Sequence, residues 1–147
     1  MKSMAEVVSE NPQRAAVVRD VVTLIDTEVD RKGGLSGMGI KAAYKVVKSV
    51  KASIIPEVVD GLLDEFCAAI EPLHATYRAN PSGSFANYLT ANRKAAVDAL
   101  LATTDGRARR TSNATLKKTY EKLRPIAEGN VAEALPGLGR LIDKHCA

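Results

Sequence analysis

Residues 33–51 read GGLSGMGIKAAYKVVKSVK, a glycine-rich turn running straight into a lysine-striped segment. The stretch opens with four glycines in seven residues and closes with four lysines at helical spacing. Gly33 and Gly34 end a long helical pattern, where residues free to take positive φ stop a helix. Ser36 has the hydroxyl of an N-cap, able to accept from the first free backbone N–H groups. Ile40, Ala43, Tyr44, Val47, Val50 and Ile54 then step by three and four, the inner stripe of a helix. Lys41, Lys45, Lys48 and Lys51 step by four and three on the opposite side. A helix with one apolar side must be covered by other helices, and the flanking sequence supplies them.

Towards the N-terminus, residues 1–10 predict a short helical turn that docks Val7 and Val8. Asn11-Pro12 is a start signal, followed by Val17, Val18, Val21, Val22, Leu24, Ile25 and Val29 on one arc of a wheel. Their β-branching suggests strand, but the period is 3.6 and the period decides. Towards the C-terminus, Pro56 begins a third helix. Its stripe of Val58, Val59, Leu62, Leu63, Phe66, Ile70, Leu73 and Tyr77 keeps phase through Pro72, so the proline is read as a kink inside one helix. Residues 79–84 form the clearest loop. Ser84 caps a fourth helix that Asp105-Gly106 ends, and Ser112 or Asn113 caps a fifth. Pro125 breaks that one, and Pro136-Gly137 interrupts the last helical region. The expectation is an all-α, single domain over residues 1–147, a compact bundle of about six helices.

A shift of 76 residues makes the two halves echo one another. Asn11 falls on Asn87, Leu24 on Leu100, Ser36 on Ser112, Lys41 on Lys117, Tyr44 on Tyr120 and Gly61-Leu62 on Gly137-Leu138. The matches include caps and turn residues, which shared periodicity does not force. Residues 11–71 and 87–147 would then be two three-helix units, each with a basic second helix.

The totals narrow the function. A chain of 147 residues with 46% hydrophobic and 26% charged residues is an ordinary globular protein. Aromatics are 4% and tryptophan is absent, so Ala, Val, Leu and Ile must build the core. Net charge +4 and pI near 9.1 permit anionic partners without demanding them. Two cysteines, Cys67 and Cys146, give no disulfide framework and no C-x-x-C; Cys67 sits beside an apolar stripe, and Cys146 is expected to be exposed. MKSMAEVVSE does not resemble a signal peptide, and no apolar run approaches the ~20 residues of a membrane span. The reading is cytoplasmic.

The segments LSGMGIKAAYKVVK, EVVDGLL, GSFANYL and EALPGLGRLIDKH together resemble an uncharacterised family of short all-helical bacterial proteins. The resemblance spans most of the chain and implies an all-α domain. That family has no established activity, so the resemblance carries over no functional residue.

Catalytic and metal chemistry find little footing. Gly34 and Gly39 have the P-loop separation, but Ile40 stands where the lysine belongs and no strand precedes them. Glu71-Pro72-Leu73-His74 has the E-x-x-H spacing of di-iron bundles, yet His145 lacks the matching glutamate; a surface or rim histidine is the expected role of His74. Cys67 and His74 are two turns apart, about 10 Å, too far to bond directly. Cys146 and His145 sit at a terminus expected to fray. No catalytic residue, cofactor or metal ligand is therefore assigned, and an enzyme is not the favoured reading.

What remains is surface. The leading reading is a non-catalytic helical interaction or scaffold module, with a protein partner or self-association first. On that reading the lysine face is solvated and partly neutralised by Glu57, Asp60, Asp64 and Glu71 of the next helix. The alternative is an anionic-surface binder, meeting nucleic acid or lipid head groups through Lys41, Lys45, Lys48, Lys51, Arg107, Arg109, Arg110, Lys117 and Lys118, in a basic region reaching Arg124. A weaker alternative is a bundle that binds a small apolar ligand, which an apolar pocket of ~300 Å³ or more would favour.

Overall fold

The computed structural model describes residues 1–147 and is built of helices alone. They are α1 (Met4–Val8), α2 (Gln13–Arg31), α3 (Gly34–Lys48), α4 (Ile54–Ala79), α5 (Phe85–Ala91), α6 (Arg93–Arg110), α7 (Ala114–Leu123) and α8 (Ala127–Cys146), with a 310 turn at Arg124–Ile126. Six of them run ten residues or more, which is the expected six-helix bundle; α1 and α5 are short additions of five and seven residues. No helix is long and apolar enough to cross a membrane.

The spine is α4, whose 26 residues extend about 39 Å. Pro72 lies inside it, as the unbroken apolar stripe requires. The Thr76 hydroxyl donates to the Pro72 carbonyl (3.0 Å), a local bond of the kind that accompanies a disturbed turn. Leu62, Leu63, Ile70 and Tyr77 turn inward from α4 and are buried. Helices α1, α2, α3, α5 and α6 pack on this spine, and α8 closes the bundle against α1, α2, α5 and α6. Phe85, Leu89, Ala96 and Leu135 lose all solvent exposure where these elements meet. A buried Leu or Phe contributes about 1.5–3 kcal/mol, so this junction of α5, α6 and α8 carries much of the fold.

The tightest approach is α5 on α8. A Cβ at Gly139 would stand 2.3 Å from the Ala86 Cα, so the two backbones meet where no side chain fits. One turn later, Asp143 accepts from the Phe85 and Ala86 backbone N–H groups (2.9 and 3.0 Å). Ser84 accepts from Asn87 N–H (3.0 Å), as the sequence predicts. The first turn of α5 thus has its free donors satisfied from two directions. At the rim, the Lys2 backbone N–H donates to the Cys146 carbonyl (2.8 Å).

Several boundaries differ from expectation. Helix α3 begins at Gly34 rather than after Ser36: Gly33 is its N-cap, no side chain caps it, and Gly34 takes φ +69°. The fourth predicted helix is divided at Asn92, whose side-chain N–H donates to the Tyr88 carbonyl (2.8 Å) and turns the chain. Asp105-Gly106 does not end α6. Asp105 is held by Tyr120 and Arg124, Gly106 is buried, and the helix continues to Arg110. Helix α8 runs unbroken through Pro136-Gly137. Cys146 is buried, because α8 ends against α1 rather than in solvent.

The packing pattern has an internal order. Helices α2, α3 and α4 are consecutive, as are α6, α7 and α8. Both α2 and α6 pack on α4 and on α8, and α3 packs on α7.

Candidate interaction surface

Helix α3 lies on the outside of the bundle, against α2, α4 and α7. Its inner arc is Ile40, Ala43, Tyr44 and Val47, all half-buried, with Gly37 buried. The Tyr44 hydroxyl donates to Asp26 of α2, and burial together with that carboxylate raises the phenol pKa. Tyr120 of α7 donates likewise to Asp105 of α6, and its pKa is raised for the same two reasons. Each tyrosine ties a lysine-bearing helix to the helix before it.

The outer arc of α3 is unusual. Leu35 is 88% exposed, Met38 67% and Val46 47%, and Ala42 is exposed between them. Positions 35, 38, 42 and 46 share one side of a 3.6-residue helix. At 100° per residue, Lys41, Lys45 and Lys48 fill the sector along one flank of that apolar strip. The helix therefore has two apolar arcs, one half-buried against the bundle and one open to solvent beside a lysine band.

The acidic side of α4 does not neutralise this band. Asp60 and Asp64 bind Arg14 of α2 (2.8 and 2.9 Å), Glu65 binds Arg110 (2.9 Å), and Glu71 binds Arg78 on its own helix. Arg14 also donates to the Val8 and Asp60 carbonyls (3.0 and 2.9 Å), and its hydrogen bonds to Asp64 and Asp60 raise its pKa. Only Glu57 meets a lysine of residues 33–51. That lysine is Lys51 (2.9 Å), which lies beyond the end of α3, and the bond lowers the Glu57 pKa. Lys41, Lys45 and Lys48 make no ion pair. Lys48 Nζ sits 4.5 Å from the centre of the Tyr44 ring.

Lys117 and Lys118 are exposed on α7, the neighbour of α3, and are also unpaired. Arg107 and Arg109 are exposed at the end of α6, Arg110 is held by Glu65, and Arg124 by Asp105. The structure thus brings the α3 and α7 lysines onto adjoining helices and assigns Lys51, Arg110 and Arg124 to structural pairs. Three lysines on α3, and three lysines with one glutamate on α7, give this pair of helices a net charge of +5 against +4 for the whole chain. The basic character of the protein is concentrated there.

The groups considered for chemistry are buried or half-buried in the bundle. His74 is 1% exposed rather than at the surface, because its ring packs edge-on against Phe85 at 4.8 Å between centroids. Burial, and secondarily Arg78, lowers its pKa. His145 does not fray: its Nε2–H donates to Asp20 (2.6 Å), which Lys144 also binds (2.8 Å). A cavity of about 240 Å³ lies among α1, α2, α4, α6 and α8, with 18 of its 20 lining residues apolar. That is smaller than the ~300 Å³ at which drug-sized ligand pockets begin. Cys67 and Cys146 both line it, and burial pushes each thiol up to about 11.

Sequence reasoning missed Leu35, Met38 and Val46 as surface residues. The signal was present in their spacing, which is helical but out of phase with Ile40, Ala43, Tyr44 and Val47. No curated protein and no solved structure matches the chain. Residues 4–146 match the profile of DUF6918, and the chain belongs to this family of unknown function.

Proposed function

We propose that the protein is a non-catalytic interaction module, that its contact surface is the outer side of α3, and that the partner is an anionic lipid surface. The observation that carries this reading is the exposed apolar strip of Leu35, Met38 and Val46 beside three lysines that form no ion pair. A helix of this profile lies in a bilayer interface, apolar side among the acyl chains and lysines at the head groups. Self-association through the same face is disfavoured, because a two-fold contact would set one lysine band against another. Nucleic acid uses the lysines but leaves the apolar strip without a role, and Tyr44, the aromatic on α3, is turned inward.

Each lysine contributes about 1 kcal/mol at an anionic membrane surface, so three give about 3 kcal/mol, on the order of a hundredfold in affinity. Binding is expected to be reversible and to weaken with salt. The test is co-sedimentation with phosphatidylcholine vesicles, with and without ~30% phosphatidylserine. Lys41→Glu with Lys45→Glu should abolish binding to the anionic vesicles. Lys41→Gln with Lys45→Gln should hardly move the unfolding midpoint, since exposed charges of this kind contribute ~0.2–1 kcal/mol. Leu35→Ser should weaken the binding that survives at high salt. Equal affinity for neutral and anionic vesicles, or indifference to the glutamate pair, refutes the reading.

We also propose that residues 11–71 and 87–147 are equivalent three-helix units related by a pseudo-two-fold axis. Supporting it are the matching helix order, the exchange of α2 and α4 for α6 and α8 in the packing, and the contact of α3 with α7, which such an axis would relate to each other. On this reading the duplication is what sets the two lysine-rich helices side by side. Superposing the two units is the test, and opposite helix-crossing directions would sink it.

A further inference from the structure

The cavity among α1, α2, α4, α6 and α8 is half open to solvent and lined almost wholly by apolar side chains. Thr104 and His145 are the two residues of its lining that are not apolar, and both are committed. The Thr104 hydroxyl is engaged with the Leu101 carbonyl (3.2 Å) and the Tyr120 hydroxyl (2.8 Å), and the His145 Nε2–H goes to Asp20. A buried water needs two to four polar partners, which this lining does not supply. An unfilled volume also leaves its walls without dispersion partners, so an apolar occupant gains contacts with the lining. The walls that could have filled the space are the short β-branched Val17, Val21, Ile25, Val59 and Val131.

We propose that this cavity is a binding site for an uncharged, hydrocarbon-like small molecule: a short alkyl chain or a single-ring hydrocarbon. Its size follows by proportion. A cavity of ~150 Å³ accepts benzene, so 240 Å³ holds about ten carbons. A carboxylate is excluded, because no cation lines the cavity apart from His145, which already faces Asp20. Entry is past α1. This five-residue helix covers the cavity with Met4, Val7 and Val8, and it is the shortest element of the lining. The site is separate from the outer side of α3, none of whose residues line it.

The experiment is methyl-detected NMR and thermal unfolding of the intact protein with 1-octanol, p-xylene and sodium octanoate. The expected result is saturable shifts of the Val7, Val8, Val21 and Leu138 methyls with octanol and xylene, a raised Tm, and at least tenfold weaker binding of octanoate. Val21→Phe and Val131→Phe, each filling the space from a different helix, should weaken octanol binding at least tenfold while keeping the helical circular dichroism. If wild-type protein shows no saturable methyl shift with either neutral probe, the proposal is overturned, whether or not the variants fold. Shifts confined to Leu35, Met38 and Val46 overturn it too, since they would place the probe on the outer surface.

Discussion

Substituting alanine for glycine should have opposite signs at two helical positions, and the difference measures how closely α5 and α8 approach. At Gly61, inside α4, an added Cβ meets only the end of the Arg107 side chain at 3.7 Å, an ordinary contact. Gly61→Ala should therefore show the bare helix-propensity gain, about 0.5–1 kcal/mol of stabilisation. At Gly139 the same atom would stand 2.3 Å from the Ala86 Cα, 2.8 Å from its Cβ and 3.1 Å from its N. Those are mostly backbone atoms of a helix whose start is fixed by Asp143, so α5 must move by more than 1 Å or α8 must bend. Overpacking costs about 1–3 kcal/mol, and contact with backbone puts this case at the upper end. After the propensity gain, Gly139→Ala should be destabilising by about 2 kcal/mol, some 4–8 °C in Tm for a chain of this size. Urea unfolding followed by circular dichroism at 222 nm, with unchanged m-values, is the assay. If the two variants shift stability by the same amount in the same direction, α5 and α8 are not in backbone contact at Ala86 and the packing described for them is wrong.

Two further outcomes follow from named residues. Asp143→Ala removes the acceptor for the Phe85 and Ala86 N–H groups and should cost about 1–2 kcal/mol in the same urea assay; Asp143→Asn, which keeps one oxygen, should cost less. His74 carries a depressed pKa, so below the unfolded histidine value near 6.5 the unfolded chain binds a proton that the folded one refuses. Its share of stability is whole above about pH 6.5 and should fall as the pH drops towards the depressed folded pKa, with a slope of at most about 1.4 kcal/mol per pH unit. His74→Met should remove that slope between pH 6.5 and 5 in unfolding midpoints measured across the range; an unchanged slope would acquit the histidine.

The helices were legible because their signals are local. Apolar period placed α2 and α4; the phase kept across Pro72 predicted one helix there; Ser84 caps as expected, and of the two candidates Ser112 and Asn113 it is Asn113 that caps α7. Beyond the helix boundaries, most of the errors concern partners far away in the chain. Asp60 and Asp64 look like natural counter-ions for the lysines just before them, yet Arg14, 46 and 50 residues away, takes both. Nothing local announces that choice. His74 reads as a rim residue until α5 folds Phe85 over it, and Cys146 reads as a loose end until α8 docks on α1. The outer apolar arc of α3 was readable in principle, but one helix carrying two apolar arcs is easily taken for one with a single broad core side.

The dependence of the core on α8 has a consequence for synthesis. Leu135, Gly139, Ile142 and Cys146, together with the carboxylate that starts α5, all lie in the last 20-residue helix, and its partners α1, α2, α5 and α6 are made before it. At ~5–20 residues per second, translating that helix takes about 1–4 s. During those seconds α1, α2, α5 and α6 have α4 to pack on, but the sides that α8 covers stay open to solvent.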